Sequence, residues 1–343
     1  MMLPSPRNPF PIRTPFRVVS DLYRMGTSPY GELETTAFIF DDTYPEMIAE
    51  KLRVLQHYPE HGRCWLPDDL DDLTACLWSV AEYMATDQPD YLTYTEEAFT
   101  AHLLGITLRR DGDLVRLATP SPFVELAEAC FAHLQAQPPF ERLCDMLALS
   151  VQEDLVIGRP ALDDRADYME CLLVALPSHW IPLEKVGLSF MAIHLPIADS
   201  ERLVAASDHV VQAISTKGPF VRYNWTLSTA DWARNPATDP TFADKSNALY
   251  RLDDPQAILE QLYLRVERQT TVPFLPHQRY LFAIRIYQHT MQAALTTDER
   301  RERLLSCLES IPPSTLEHRS SLHGVMETLC EALRPKRSRV EVA

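Results

Sequence analysis

Apolar and polar positions alternate most clearly in the last third of the chain. FVRYNWTL at 220–227 puts Val221, Tyr223, Trp225 and Leu227 on one face and Arg222 and Asn224 on the other, the period of two that a half-buried strand requires. LRVERQT at 264–270 repeats the pattern, with Arg265, Glu267 and Gln269 on one side and Leu264, Val266 and Arg268 on the other. The predicted strands here run over 262–272 and 280–287, joined around Leu275-Pro276. Upstream, alternating segments at 106–110 and 114–117 flank Asp111-Gly112-Asp113, a hairpin signal because glycine accepts the positive φ of a tight turn. The segment 168–175 reads as a buried strand, 151–157 as a strand carrying the Glu153-Asp154 pair, and 36–40 as a short one. Helical spacing runs through 45–57, 73–85, 123–135, 140–149, 201–214, 297–308 and 315–333, and the acidic run PDDLDD at 67–72 supplies caps for the second of these. Strands that follow one another without strict alternation with helices predict an α+β fold, an antiparallel sheet wrapped by N-terminal and C-terminal helices. The expected organisation is a proline-rich extended segment at 1–16, one domain over 17–334, and a basic tail at 335–343. The longest expected loop covers 228–256.

Between the predicted strands lies LPSHWIPLEKVGLSFMAIHLP, residues 176–196. A helix over 184–194 would align Val186, Phe190 and Ile193 as one apolar stripe and set His194 at its edge. An imidazole there needs a hydrogen-bond partner or a metal, because an unpaired polar group in apolar surroundings is costly. His179, in a Pro-Ser-His-Trp turn, is the competing metal ligand, and Lys185 falls on the side away from the stripe. Haem ligation by either histidine would need a neutral imidazole whose second nitrogen is held by an acceptor.

Composition narrows the chemistry. The formal charge of -16 argues against sequence-independent nucleic-acid binding, which needs a basic footprint. Nine glycines stand against 27 prolines, and neither GxGxxG nor GxxxxGK[ST] occurs, so the chain carries no glycine-rich phosphate cradle. The cysteines at 64, 76, 130, 144, 171, 307 and 330 form no CxxC and fit neither a zinc nor an iron-sulfur pattern; they are expected as buried thiols in a reducing compartment. No apolar run approaches a membrane span of about 20 residues, and the proline-rich start is unlike a signal peptide, so a cytoplasmic, soluble protein is expected. Glu153 and Asp154 are candidates to act as a base or to orient an amine, although neighbours on a strand point to opposite faces. No GxSxG occurs, so no hydrolase nucleophile is indicated. Arg265 and Gln269, held by Glu267, together with Arg222 and Asn224, would line a pocket for an anionic group if the two strands are neighbours.

Taken in order, QEDL at 152–155, LPSHW and EKVG within 176–187, AIHLP at 192–196, VRYNW at 221–225, and LRVERQT, FLP and YLFAIRIY within 264–287 resemble the haem-dependent oxidative N-demethylase family. FDDTYPEMIAEKLRVL at 40–55 extends the resemblance, which covers roughly residues 10 to 295. The chain departs from the family pattern after AIHLP, where Ile197-Ala198 follows, and after ERQ, where Thr270-Thr271-Val272-Pro273 follows. The resemblance implies a PAS-like fold holding haem b and oxidising a small methylated amine such as dimethylamine with dioxygen, to formaldehyde and the smaller amine. It implies electrons from NADPH through FMN and an iron-sulfur cluster on a separate reductase subunit. Carried over by position, His194 is the haem iron ligand, Lys185, Arg222, Asn224 and Arg265 are cofactor-binding residues, and Glu153, Asp154, Glu267 and Gln269 serve the substrate. A PAS-like sensor of haem or a small molecule is the alternative, and self-association is left open.

Overall fold

The computed structural model describes residues 3–18, 20–27, 34–162, 165–178, 180–196, 200–229, 236–241, 248, 252, 254–313 and 325–334. The chain forms an α+β fold around a seven-stranded sheet. Its strands are β1 (Tyr23–Arg24), β2 (Arg63–Trp65), β7 (Asp154–Arg159), β8 (Tyr168–Leu173), β9 (Phe220–Ser228), β10 (Tyr263–Phe274) and β11 (Arg279–Thr290). They are ordered β1-β9-β10-β11-β7-β8-β2, and every neighbouring pair is antiparallel. The five long strands thus run β8-β7-β11-β10-β9, with the chain crossing one sheet face between β8 and β9.

That crossing carries three short helices, α6 (Phe190–His194), α7 (Glu201–Ala205) and α8 (Ser207–Thr216). Phe190, Leu203, Val210, Val211 and Ile214 pack on Val156, Met169, Leu172 and Tyr280 of the sheet. The opposite face is covered by α1 (Tyr44–His57), α3 (Leu70–Asp87), α4 (Val124–Ala136) and α5 (Pro139–Ser150) at one end, against Leu155, Ile157, Leu281 and Ala283. At the other end, helices Pro255–Gln261, Asp298–Glu309 and Met326–Leu333 bury Val221, Trp225, Leu264 and Val266. Between these two apolar patches runs a buried charged stripe that includes Arg268 and Arg285. No helix among the described residues is long and apolar enough to cross a membrane.

The strand and helix patterns of the sequence hold in most places, and the differences have physical causes. Residues 36–40 are extended but join no sheet. Side chains take the place of a ladder: Asp87 accepts from the Ala37 and Phe38 amides at 2.8 and 3.0 Å, Glu153 from Ile39 at 2.9 Å and Gln152 from Asp41 at 2.9 Å. The expected helix over 184–194 is broken. A single 3-10 turn, Pro182–Glu184, is followed by Gly187 at φ +77, and only α6 is helical; a left-handed residue cannot sit inside an α-helix. The expected helix over 201–214 divides at Ala206. The predicted hairpin at 106–117 is present, with Gly112 at φ +95. It belongs to a four-stranded meander whose first two strands, β3 (Leu92–Thr95) and β4 (Ala98–Ala101), precede β5 (Ile106–Arg109) and β6 (Leu114–Arg116). Asp69 caps α3 by accepting from the Asp72 amide at 3.1 Å, as the acidic run predicts. The basic tail at 335–343 and most of the long loop lie outside the described residues.

Candidate functional site

The register of the central strands fixes which side chains share the face under α6–α8. Gln269 lies opposite Arg222 on β9 and Ile284 on β11, Glu267 opposite Asn224 and Ile286, and Arg265 opposite Thr226 and Gln288. Cross-strand partners point the same way. Arg222, Asn224, Arg265, Glu267 and Gln269 are therefore brought together on one face. Glu267 is the hub: its Oε1 accepts from Arg265 Nη2 at 3.3 Å and its Oε2 from Gln269 Nε2 at 2.9 Å. Arg265 Nη2 also donates to the Leu176 carbonyl at 2.8 Å. Three buried polar atoms on this face of β10 have no partner, namely Arg265 Nε, Gln269 Oε1 and Thr271 Oγ1. Buried polar groups are nearly always satisfied, so these atoms are open to a polar partner.

His194 stands at the end of α6, on the same side of the sheet. Its Nδ1 is 2.7 Å from the Phe190 carbonyl, which can only accept, so Nδ1 carries the proton and Nε2 presents its lone pair. Its ring stacks on Phe190 with centroids 4.1 Å apart. Burial pushes the imidazole pKa down to about 4; the Phe190 carbonyl opposes this, while the positive charges of Arg222 and Lys185 add to it. The side chain is neutral at pH 7, the form that ligates metals.

Around the short helix, at 100° per residue, the order from the core outward is Ile193, Phe190, His194, Met191, Leu195. Met191 is 47% and Leu195 64% exposed, and Leu183 and Leu188 in the preceding turns are also exposed. The imidazole therefore sits at the border of a buried apolar face and an exposed one. Nearby, the half-buried Arg222 feels Glu267 and Asp21 as its opposite charges while burial lowers its pKa. Neither the Arg222 nor the Lys185 side chain makes a hydrogen bond or ion pair among the described residues.

Glu153 and Asp154 part ways, since Asp154 lies opposite Ile284 and so shares the face of Gln269, whereas Glu153 does not. Glu153 is fully buried on the opposite face, with Oε1 on the Ile39 amide and its pKa raised to about 7 by burial, an effect eased by Arg285, the Ile39 amide and Arg268. Asp154 accepts from the Ala175 and Leu176 amides at 3.1 and 2.9 Å and lies 3.5 Å from Lys51 Nζ. Burial shifts both Asp154 and Lys51 toward their neutral forms. His179 lies outside the described residues. The sequence reading passed over Asp167, whose Oδ2 accepts from the Phe190 amide at 2.7 Å; a lone aspartate between two strands carries no spacing signal. It also passed over the exposed Leu and Met residues around His194, because that stretch was read as a single helix.

Among the described residues no three His, Cys, Asp or Glu side chains gather to hold a metal ion. A metal on His194 would need its other ligands from a macrocycle, and the surroundings suit one. An imidazole offers its lone pair, apolar side chains flank it, and two uncommitted cations stand near for acidic side groups. The cysteines are all free, and six of the seven are buried.

Fold and side chains together define an α+β protein with a histidine and a polar, charged cluster on one face of an antiparallel sheet. Comparison with protein families matches residues 33–326 to the haem-dependent oxidative N-demethylase, alpha subunit-like family. The match spans most of the chain, which therefore belongs to this family. A search of curated proteins finds no match.

Proposed function

We propose that the chain is the haem-carrying subunit of an oxidative N-demethylase acting on a small methylated amine such as dimethylamine. The observation that carries this reading is the state of His194: neutral, with Nδ1–H anchored to a carbonyl and Nε2 free, beside the unpaired cations Arg222 and Lys185. The strand order β8-β7-β11-β10-β9, with helices crossing one face between β8 and β9, supports a PAS-like core with its pocket under those helices.

In this reading His194 Nε2 would hold the iron of haem b, and the exposed Met191 and Leu195 would offer it an apolar surface. Arg222 and Lys185 would neutralise its acidic side groups, with Asn224 and Arg265 as further polar partners. The haem, when bound, supplies dioxygen chemistry that the side chains cannot. Glu267 and the free Gln269 Oε1 are acceptors for the N–H groups of an ammonium ion. They hold the amine with its methyl group directed away from the carboxylate. Arg265 fixes Glu267 so that binding the amine needs no reorganisation. Glu153 and Asp154 have no surface open to a substrate, and their part is to hold the chain around the sheet. In the overall change one oxygen atom enters the N–CH3 carbon and the other leaves as water, with two electrons from the reductase and two protons. The carbinolamine then breaks its C–N bond to give formaldehyde and the demethylated amine. The electrons come from a separate subunit bearing FMN and an iron-sulfur cluster and oxidising NADPH, and the expected location is the cytoplasm.

Haem titration of the purified chain tests this directly. A Soret band is expected, and His194→Ala should weaken or shift it. With a reductase, NADPH and dimethylamine, formaldehyde should accumulate. A chain that takes up haem and changes its spectrum with ligands, yet yields no formaldehyde from any methylamine, would be a PAS-like sensor instead.

A further inference from the structure

A five-residue helix cannot hold itself, so the aim of the His194 imidazole is set from outside α6. The ties come from the hairpin β7–β8. Met169 donates its amide to the Leu188 carbonyl at 3.0 Å and accepts from the Gly187 amide at 2.8 Å, which places the segment before the helix. Ser189 Oγ accepts from the Ala192 amide at 3.1 Å and caps the first turn from within. Val156, Met169 and Leu172 pack on the Phe190 ring, and among the described residues Asp167 makes the one polar tie from the hairpin to the helix itself, where its Oδ2 accepts from the Phe190 amide at 2.7 Å. Asp167 is 7% exposed, and a buried carboxylate on an amide makes a stronger bond than a neutral acceptor.

Phe190 in turn supplies both contacts that orient the imidazole. Its carbonyl accepts from His194 Nδ1 at 2.7 Å, and its ring stacks on the imidazole with centroids 4.1 Å apart. The bond from Asp167 therefore holds the backbone of the residue that sets both the tautomer and the tilt of His194, while apolar packing holds its ring. We propose that Asp167 is the positioning residue of the site: through Phe190 it keeps His194 in the Nδ1–H form with Nε2 aimed into the pocket. The importance of that aim for haem rests on the proposed function, whereas the placement of His194 by Asp167 does not.

The test uses the full chain in wild-type, Asp167→Asn and Asp167→Ala forms, with two readouts. Without haem, imidazole 15N NMR reports the His194 tautomer. The wild type and Asp167→Asn, which keeps an oxygen acceptor, should show Nδ1–H, and Asp167→Ala a mixture of tautomers. With haem, Asp167→Ala should bind roughly ten- to a hundredfold more weakly, and Asp167→Asn should recover most of that loss. An Asp167→Ala protein with the wild-type tautomer and wild-type haem affinity would overturn the proposal. Should Asp167→Ala fail to fold, hydrogen exchange at the Phe190 amide of the wild type decides. Protection supports the tie, and exchange at the rate of a free amide overturns it. If the wild type takes up no haem, the axial-ligand reading is lost, while the tautomer comparison still decides the role of Asp167.

Discussion

One oxygen of Glu153 accepts the Ile39 amide and the other has no partner, although the side chain is completely buried. Arg285 Nε and the Tyr287 hydroxyl are also buried without partners, and Arg285 lies over the Tyr287 ring at 4.8 Å. Arg285 is already committed to Asp41 at 2.6 Å, so Glu153 has no cation of its own and burial lifts its pKa from 4.5 to about 7. A carboxyl raised in the folded state contributes stability fully present below pH 4.5 and lost as pH rises through about 7. Glu153→Gln removes this dependence. The variant should gain on the wild type between pH 4.5 and 7, by on the order of 3 kcal/mol at about 1.4 kcal/mol per pH unit, and the gap should stay constant above. Urea denaturation across that range measures it, and parallel stability curves would refute it. His194 runs the other way, with stability lost as pH falls from 6.5 through about 4, but it cancels in the comparison of the two proteins. In the sequence Glu153 and Asp154 are legible as neighbours with opposite directions. The burial of Glu153 is not, because it depends on residues 39 and 285, both more than a hundred positions away.

The elements of the sheet were legible where side chains alternate over several residues, as in β9, β10 and β11. The stretch at 36–40, TAFIF, is an apolar run of strand length, yet it is held by carboxylates and an amide from other elements, and local pattern cannot tell such an arrangement from a ladder. In the stretch around α6, Val186, Phe190 and Ile193 do meet in one apolar cluster, although Gly187 breaks the helix that was to align them. The apolar pattern reports burial, and the backbone that delivers it is a separate matter. A second glycine tests how tightly this layer is packed. Gly158, at the irregularity in β7, pairs with Tyr280, and a Cβ there would meet the Tyr280 ring at 2.3 Å. Tyr280 is buried against Met169 and α6–α8, so its ring can yield only by displacing that layer. Gly158→Ala should cost about 1–3 kcal/mol in thermal or urea unfolding, and a variant as stable as the wild type would mean that the layer is looser than its contacts imply.

At the scale of the molecule, the sheet separates two environments. The face under α6–α8 carries the candidate site, with Arg265 Nε, Gln269 Oε1 and Thr271 Oγ1 unpartnered among the described residues. The other carries two apolar patches divided by the charged stripe. Family motifs made the first face legible, since Arg222, Glu267, Gln269 and His194 lie within them. The stripe was not legible, because Arg268 was read only as one of the residues facing away from the pocket. It is in fact completely buried, donating to Glu34 at 2.8 Å and to the Ala37 and Thr36 carbonyls at 2.9 and 2.6 Å. Arg268 thus ties the extended residues 34–37 to the middle of the sheet, and through them the first helices. Such a pair is costly to break from one side, because the remaining charge stays buried. Arg268→Met should destabilise the chain by roughly 3–5 kcal/mol. Adding Glu34→Gln should restore part of that loss, since it removes the stranded carboxylate and leaves a group that can still accept from Tyr223 and Arg7. Chemical denaturation of the four proteins in a double-mutant cycle measures the coupling. If the two losses simply add, Glu34 and Arg268 act separately, and the segment is held by its backbone contacts to Arg268 and by Asp87 and Glu153 instead.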